Sequence, residues 1–184
     1  MRTKNSIKNS VYALFSSFLI LAIGFISQTV FIKILGSEYL GINGLFNNIV
    51  SVLAIVELGI GPAIIFSLYE PIAKNDKEKI KSLMSFYKKS YIIIGLIVFA
   101  LGLIITPFIN FFVNTTLNFN NLGGIYSIFL LFVLDSSFSY FLSYKRSIIQ
   151  ADQKNRIISL THLICYLLMT FLQILILYIT KDFI

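Results

Sequence analysis

SYIIIGLIVFALGLIITPFINFFVNTTLNFNNLGGIYSIFLLFVL, residues 90–134, contains no charged residue over 45 consecutive positions. About 20 apolar residues cross a bilayer as an α-helix, so this run is long enough for two helices and the loop between them. Three further stretches also lack Asp, Glu, Lys and Arg: residues 9–32, 39–56 and 157–180. The pattern predicts a polytopic membrane protein.

The overall composition excludes an ordinary soluble domain. Apolar residues make up 57% of the chain and charged residues 12%, against roughly 45–50% and about 25% in soluble proteins. A soluble domain of this length could not bury that much apolar surface in one core. The net charge of +7 is explained below by membrane topology, so we predict no nucleic-acid partner.

We predict an all-α fold, a bundle of five transmembrane helices that form one membrane domain over residues 1–184. The predicted helices cover residues 9–34, 42–69, 90–112, 123–144 and 157–180. Basic residues precede the first helix, as in a signal peptide. Its charge-free segment is too long for the 7–15 residues of a signal-peptide core, so we expect it to be retained.

The basic residues predict the orientation of the helices. Thirteen of the 15 lie in three segments that fall on one side: the N-terminus, residues 70–90 and residues 145–156. Only Lys33 and Lys181 fall on the other side. Because basic residues concentrate in cytoplasmic loops, the N-terminus is predicted to be cytoplasmic.

The basic segment KNDKEKIKSLMSFYKKS, residues 74–90, leaves two alternatives open. Its apolar residues at helical spacing are Ile80, Leu83, Met84 and Tyr87. The segment is either a short amphipathic helix on the membrane surface, attracted to anionic lipid, or a charged anchor that fixes topology.

Three predicted helices carry polar stripes. The stripe on the first contains Ser10, Ser17, Gly24 and Gln28. The stripe on the second helix contains Asn43, Asn47, Ser51, Ala54, Glu57 and Gly61. The stripe on the fourth contains Asp135, Ser139, Ser143 and Arg146, with Ser136 and Tyr140 beside it. A charge within the bilayer costs roughly 2.5–3.5 kcal/mol and usually faces a protein interior or a pathway. The two acids near mid-helix, Glu57 and Asp135, are therefore candidates for gating or ion coupling, or for structural hydrogen bonds across a helix interface.

A predicted hinge follows Glu57 directly. In AIVELGIGPAIIF, residues 54–66, Pro62 lacks an N–H, and Gly59 and Gly61 lower the cost of bending. We expect a kink at Pro62 that opens a cavity. Tyr91, near the start of the third helix, is typical of an interfacial aromatic belt.

The stretch FIKILGSEYLGINGLFNNIVSVLAIVELGIGPAII, residues 31–65, resembles the opening of the polysaccharide-biosynthesis flippase family. This family moves O-antigen, capsule or teichuronic-type repeat units, and belongs to the multidrug/oligosaccharidyl-lipid/polysaccharide exporter superfamily. Lys33 stands where the family usually has arginine, and Leu35-Gly36 follow it. Tyr39-Leu40-Gly41 occupy the turn, where the family more often has Tyr-Gly. Glu57-Leu58-Gly59 stand where the family commonly has Asp-Leu-Gly.

The resemblance implies a two-lobed, alternating-access transporter of twelve to fourteen helices in the bacterial inner membrane. Five helices are part of one lobe, so we expect an N-terminal fragment of a longer transporter. The implied cargo is an oligosaccharide on undecaprenyl pyrophosphate. Lys33 would bind the pyrophosphate, or would only snorkel to the interface. Asn47 and Ser139 would face the sugars, and Glu57 and Asp135 would gate or couple to ions. Further implied partners are membrane lipid, a polysaccharide polymerase and chain-length proteins.

Three other classes of protein stay open. A cation-coupled drug or metabolite exporter of the same superfamily also begins with polar-striped helices. A membrane enzyme needs a catalytic group in a large loop, and the sequence has no GxSxG, no HExxH and no paired histidines. A structural subunit would not need mid-membrane acids. Because His162 and Cys165 each stand alone, we predict no metal, no disulfide and no cofactor.

Overall fold

The chain is all α-helical wherever its fold is described. A computed structural model describes residues 2–57, 59–113 and 122–180, and no strand occurs in these ranges. The helices are α1 (Arg2–Leu35), α2 (Ser37–Leu53), α3 (Ile60–Ala73), α4 (Lys77–Ile105), α5 (Ile109–Phe112), α6 (Leu122–Ala151) and α7 (Asn155–Thr180). The predicted all-α fold is confirmed. Lys181 lies outside the described residues.

Five segments of these described ranges are long and apolar enough to cross a membrane. They are Ile7–Leu35, Ser37–Glu57, Lys77–Phe112, Gly124–Ala151 and Asn155–Ile179. Helix α3 is also apolar but shorter. The chain is therefore a membrane protein by the length and composition of its helices, while the cytoplasmic position of its N-terminus stays a prediction.

The predicted single helix over residues 42–69 is wrong, because the chain breaks in its middle. Helix α2 ends at Leu53, a 3-10 turn covers Ala54–Glu57, and α3 begins at Ile60. Gly59 makes the break with a left-handed φ of 88°, a conformation that glycine adopts without steric cost. The break lies at the start of the predicted hinge of Gly59, Gly61 and Pro62, but Gly59 rather than Pro62 makes it. Pro62 is the third residue of α3, where a backbone N–H has no partner within the helix and proline is tolerated.

Helices α4 and α6 are longer than predicted. Asp76 caps α4 by accepting a hydrogen bond from the Lys79 N–H at 3.0 Å, so the helix starts at Lys77 rather than at residue 90. Helix α6 runs on to Ala151 rather than ending at 144. Charged residues limit the part of a helix that enters a bilayer, but they do not end the helix itself. A separate surface helix over residues 74–90 is therefore wrong, since this segment is the first part of α4.

The chain divides into two compact units, residues 1–40 with 152–183 and residues 41–151. Helices α1 and α7 pack together in the first unit. The Asn9 amide donates to the Gln153 carbonyl at 2.8 Å and accepts from the Arg156 N–H at 3.2 Å. Further along both helices, Gly24 lies against the Tyr166 hydroxyl. The two helices are thus parallel, as expected for first and fifth spans of alternating direction. A single membrane domain over residues 1–184 stays a prediction.

The second unit is built on an antiparallel pair of long helices, α4 and α6. Gly95 lies against the Ser137 backbone and the Phe141 ring, and Gly102 lies directly against Val133. Small residues at these positions allow the two backbones to approach closely, as is common between membrane helices. Helix α2 joins α6 through the Phe46 ring, which contacts those of Phe129 and Phe132 at centroid distances of 5.3 and 5.6 Å.

Helix α3 packs on the first part of α4. The Ser67 and Tyr87 hydroxyls are hydrogen-bonded, and Leu83 and Met84 pack against the core beside Tyr87. The buried core of this unit contains Leu53, Ile64, Leu68, Tyr87, Tyr91, Ile94, Val98, Tyr140 and Ala151. The apolar spacing noted in residues 74–90 therefore serves protein packing. This packing of α3 on α4 also brings Glu57, just before the start of α3, within hydrogen-bond distance of Tyr91.

Candidate functional site

A polar cavity of about 390 Å³ lies in the second unit, where the start of α3 meets α4 and α6. Helix α6 lines it with Ser139, Tyr140, Ser143, Arg146, Ser147 and Gln150. The opposite wall contains Glu57, Gly61, Pro62, Ile65 and Tyr91. A polar cavity among apolar helices is the usual sign of a binding site or a pathway in membrane proteins.

Glu57 is the acid of this cavity and is held by tyrosines. The Tyr91 hydroxyl donates a hydrogen bond to Glu57 Oε1 at 2.9 Å, and Tyr140 interacts electrostatically with the same carboxylate. The two tyrosine rings are stacked, with centroids 6.5 Å apart and planes 22° apart. Both tyrosines are buried, whereas Glu57 is half-buried. The carboxylate is therefore oriented by the Tyr91 hydroxyl and still lines the cavity.

The helical break and the hairpin of α3 with α4 explain how Glu57 reaches this position. Gly61 lies in the first turn of α3, and a Cβ there would lie 3.5 Å from the Tyr91 hydroxyl. A larger side chain would come between Glu57 and Tyr91. Glu57 is level with Tyr91, which lies at the middle of α4. The depth of Glu57 in a membrane stays a prediction.

The polar face of α6 follows from its sequence spacing. Ser139, Ser143, Arg146 and Gln150 are spaced 4, 3 and 4 residues apart, which places them on one side of a helix. The Ser139 and Ser143 hydroxyls donate to carbonyls of their own helix, both at 2.7 Å. Their oxygens keep lone pairs that can accept hydrogen bonds from a bound hydroxyl.

The cavity carries one cation and one anion. Arg146 is exposed and forms no ion pair with any acid in the described ranges. A guanidinium binds phosphate or carboxylate oxygens through two parallel hydrogen bonds. The other polar lining groups are uncharged hydroxyls and one amide, which suit the hydroxyls of a sugar. The arrangement can therefore bind a polar ligand that carries an anionic group.

The structure brings together some predicted site residues and separates others. Glu57, Gly61, Pro62 and Ser139 line the cavity, and Gly59 makes the break beside it. Three further predicted residues, Asp135, Asn47 and Lys33, do not line it.

These three residues are all exposed. Asp135 is on α6, one helical turn before Ser139. The Asn47 amide donates to the Asn43 carbonyl and side chain at 2.9 and 2.8 Å, so it is bound by its own helix. Lys33 belongs to the first unit. Their predicted roles stay predictions.

Seven residues that line the cavity have no predicted site role: Ile65, Tyr91, Tyr140, Ser143, Arg146, Ser147 and Gln150. The sequence indicates an interfacial position for Tyr91, and it places Tyr140, Ser143 and Arg146 in or beside a polar stripe without a ligand role. Ser147 and Gln150 fell in a predicted loop, because charges at 145 and 146 marked the end of a span. Continuing the helical spacing of Ser139, Ser143 and Arg146 by one turn finds Gln150. No local pattern identifies Tyr91, whose role depends on tertiary packing.

No group of three or more His, Cys, Asp or Glu residues within the described ranges could hold a metal ion. His162 and Cys165 are exposed on α7. No family model, no curated protein and no solved structure matches this chain. The choice of function therefore depends on the chemistry of the cavity and on the resemblance of residues 31–65.

Proposed function

We propose that the chain is the helical part of a transporter that flips a lipid-linked oligosaccharide across the bacterial cytoplasmic membrane. The cargo is a polysaccharide repeat unit on undecaprenyl pyrophosphate, destined for surface polysaccharide. One observation carries the proposal: the polar cavity sets the Arg146 cation beside uncharged hydroxyl and amide groups. The resemblance of residues 31–65 to repeat-unit flippases gives independent support.

The phosphate and the sugars of this cargo each have a chemical counterpart in the cavity. Arg146 binds the phosphate oxygens, which attract a guanidinium strongly away from bulk water. Ser139, Ser143 and Gln150 bind sugar hydroxyls, and the stacked rings of Tyr91 and Tyr140 form an apolar wall for a sugar face. The cavity volume of about 390 Å³ lies within the range of roughly 300–1,000 Å³ that small-molecule sites occupy.

Glu57 has a gating role in this proposal. The Tyr91 hydroxyl bonds one oxygen of the Glu57 carboxylate, and the other oxygen can still accept a hydrogen bond or attract a cation. Cargo or a coupling cation that reaches Glu57 would compete with Tyr91 and loosen the contact between α3 and α4. The break at Gly59 allows α3 to move without bending a continuous helix.

The test is a deletion of the gene in its native cell, complemented with wild-type protein or with Arg146→Gln. We expect the deletion to abolish surface polysaccharide and to accumulate the lipid-linked repeat unit inside the cell. Wild-type protein restores the polymer and Arg146→Gln does not. The matched control is Lys154→Gln, which removes an exposed cation already paired with Asp152 at 2.5 Å. Normal polysaccharide in the deletion strain contradicts the proposal.

A second candidate is export of organic cations, favoured by Glu57 and the stacked pair Tyr91 and Tyr140. A carboxylate beside aromatic rings attracts a cation through charge and through the ring quadrupole. The same deletion distinguishes the two candidates. If the protein exports cations, the deletion strain becomes sensitive to toxic cations and its surface polysaccharide is unchanged. Complementation with wild-type protein then restores resistance, whereas complementation with Glu57→Gln does not.

A further inference from the structure

The first part of α4 has a basic face opposite its packed face. Leu83, Met84 and Tyr87 pack against the core of the second unit. The lysines of this segment are all exposed: Lys77, Lys79, Lys81, Lys88 and Lys89. In the described ranges, ion pairs occur only at Lys74 with Glu70 and at Lys154 with Asp152. The lysines on α4 therefore form no direct ion pair with a described acid, although Glu78 lies on the same helix beside them.

A shallow groove of about 500 Å³ runs along this basic face. It is lined by Glu78, Lys81, Ser82, Ser85, Phe86 and Lys89, whose spacing places them on one side of the helix. Two ammonium groups thus flank two serine hydroxyls, and with the Glu78 carboxylate the lining keeps a net positive charge. Phe86 is 64% exposed in the same groove. Cations, hydroxyls and an exposed aromatic ring together match the boundary between phosphate headgroups and acyl chains.

The groove begins where the apolar span ends. Helix α4 has 29 residues, which is about 43 Å, whereas the hydrocarbon core of a bilayer is about 30 Å thick. The charge-free run starts at residue 90, directly after Lys89. Helix α3 packs alongside and exposes two more aromatic side chains, Phe66 at 76% and Tyr69 at 46%. The hairpin of α3 and α4 therefore sets lysines beside apolar surface at the edge of the membrane.

We propose that this groove binds the anionic phospholipid headgroups of the membrane that the chain spans. Lys81 and Lys89 contact lipid phosphates, Ser82 and Ser85 donate hydrogen bonds to them, and Phe86 enters the headgroup boundary. Lys81 and Lys89 are eight residues apart, about 12 Å along the helix. This spacing suits neighbouring headgroups in a surface better than a single dissolved phosphate ion. The inference depends neither on the cargo nor on which side of the membrane the groove faces.

The test compares lipid preference in nanodiscs, where both leaflets have the same composition. The full chain is exchanged between discs of phosphatidylcholine alone and discs with 30% phosphatidylglycerol, and retained lipids are counted by native mass spectrometry. One variant is Lys81→Gln with Lys89→Gln. The matched control, Lys74→Gln with Lys154→Gln, removes the same net charge from lysines that are already paired with Glu70 and Asp152.

We expect wild-type protein and the control to retain phosphatidylglycerol preferentially. Each lysine near an anionic surface contributes roughly a fivefold factor, so the groove variant should lose a factor on the order of 20. Lys81→Arg with Lys89→Arg keeps both positive charges and should keep the preference for phosphatidylglycerol. This variant therefore shows whether the loss in the glutamine variant comes from the missing charge or from a folding defect. The proposal is overturned if the groove variant prefers phosphatidylglycerol as strongly as wild type does. It is also overturned if the control variant loses this preference as much as the groove variant does. Displacement of the lipid by millimolar inorganic phosphate overturns it in favour of a soluble anion.

Discussion

Tyr91 on α4 donates its hydroxyl proton to Glu57 Oε1 across 34 residues of sequence, with the two oxygens 2.9 Å apart. This bond ties the end of the 3-10 turn before α3 to the middle of α4. It also fixes the carboxylate at the wall of the polar cavity. The contact is therefore both structural and part of the candidate site, and the two contributions can be separated by measurement.

Tyr91→Phe should lower the free energy of unfolding by about 1 kcal/mol. The substitution keeps the ring and its stacking on Tyr140, but removes the donor to Glu57, and a hydrogen bond to a charged group contributes roughly 1.5–3 kcal/mol when buried. The expected loss lies below this range because Glu57 is only half-buried and water can replace part of the lost bond. The measurement is reversible unfolding in mixed micelles. Tyr178→Phe is the control, since Tyr178 is 71% exposed, and an equal loss in both variants contradicts the prediction.

Gly59→Ala should destabilise the protein by roughly 1–2 kcal/mol, the cost of a left-handed backbone for a residue with a Cβ. The φ of Gly59 is 88°, and no atom would crowd the new methyl group, so the cost is conformational. The matched control is Gly44→Ala on α2, which also has open space but a helical backbone. That control should be neutral or more stable by up to about 1 kcal/mol. Equal thermal midpoints for the two variants would mean that Gly59 is not needed for the break.

Pro62→Ala should leave the break between α2 and α3 intact and change stability by less than about 0.5 kcal/mol. Residue 62 is the third residue of α3, where a backbone N–H has no acceptor within the helix, so alanine gains no helical hydrogen bond there. The first such bond runs from the Ala63 N–H to the Gly59 carbonyl at 3.3 Å. A distance between spin labels at 47 and 66 reports the geometry of the break. If the label distance in Pro62→Ala shifts to that of a continuous helix, then Pro62 rather than Gly59 causes the break between α2 and α3.

The sequence predicts those parts of the molecule that depend on local periodicity. Charge-free runs predicted the apolar spans, and helical spacing grouped Ser139 with Ser143 and Arg146. Sequence reasoning failed where two local signals competed, as at Gly59 and Pro62, because either residue can interrupt a helix. It also failed where tertiary contacts decide. Tyr91 meets Glu57 only because α3 folds back on α4, and no spacing along the chain contains that information.

The last prediction concerns the close contact of Gly102 on α4 with Val133 on α6. A Cβ at position 102 would overlap the Val133 side chain, so Gly102→Ala should force the helices apart and cost roughly 1–3 kcal/mol by overpacking. Gly44→Ala is again the matched control, because it adds the same methyl group in open space.

Combining Gly102→Ala with Val133→Ala tests whether this overlap is the cause. The smaller side chain at 133 makes room for the new methyl group, so the double variant should be more stable than the sum of the two single effects predicts. Residues in contact typically show coupling of 0.5–3 kcal/mol in such a cycle. Unfolding free energies of all four proteins in the same micelles give the coupling directly. Strict additivity would mean that α4 and α6 do not meet at these two residues, and the register of the second unit, with the polar cavity built on it, would have to be different.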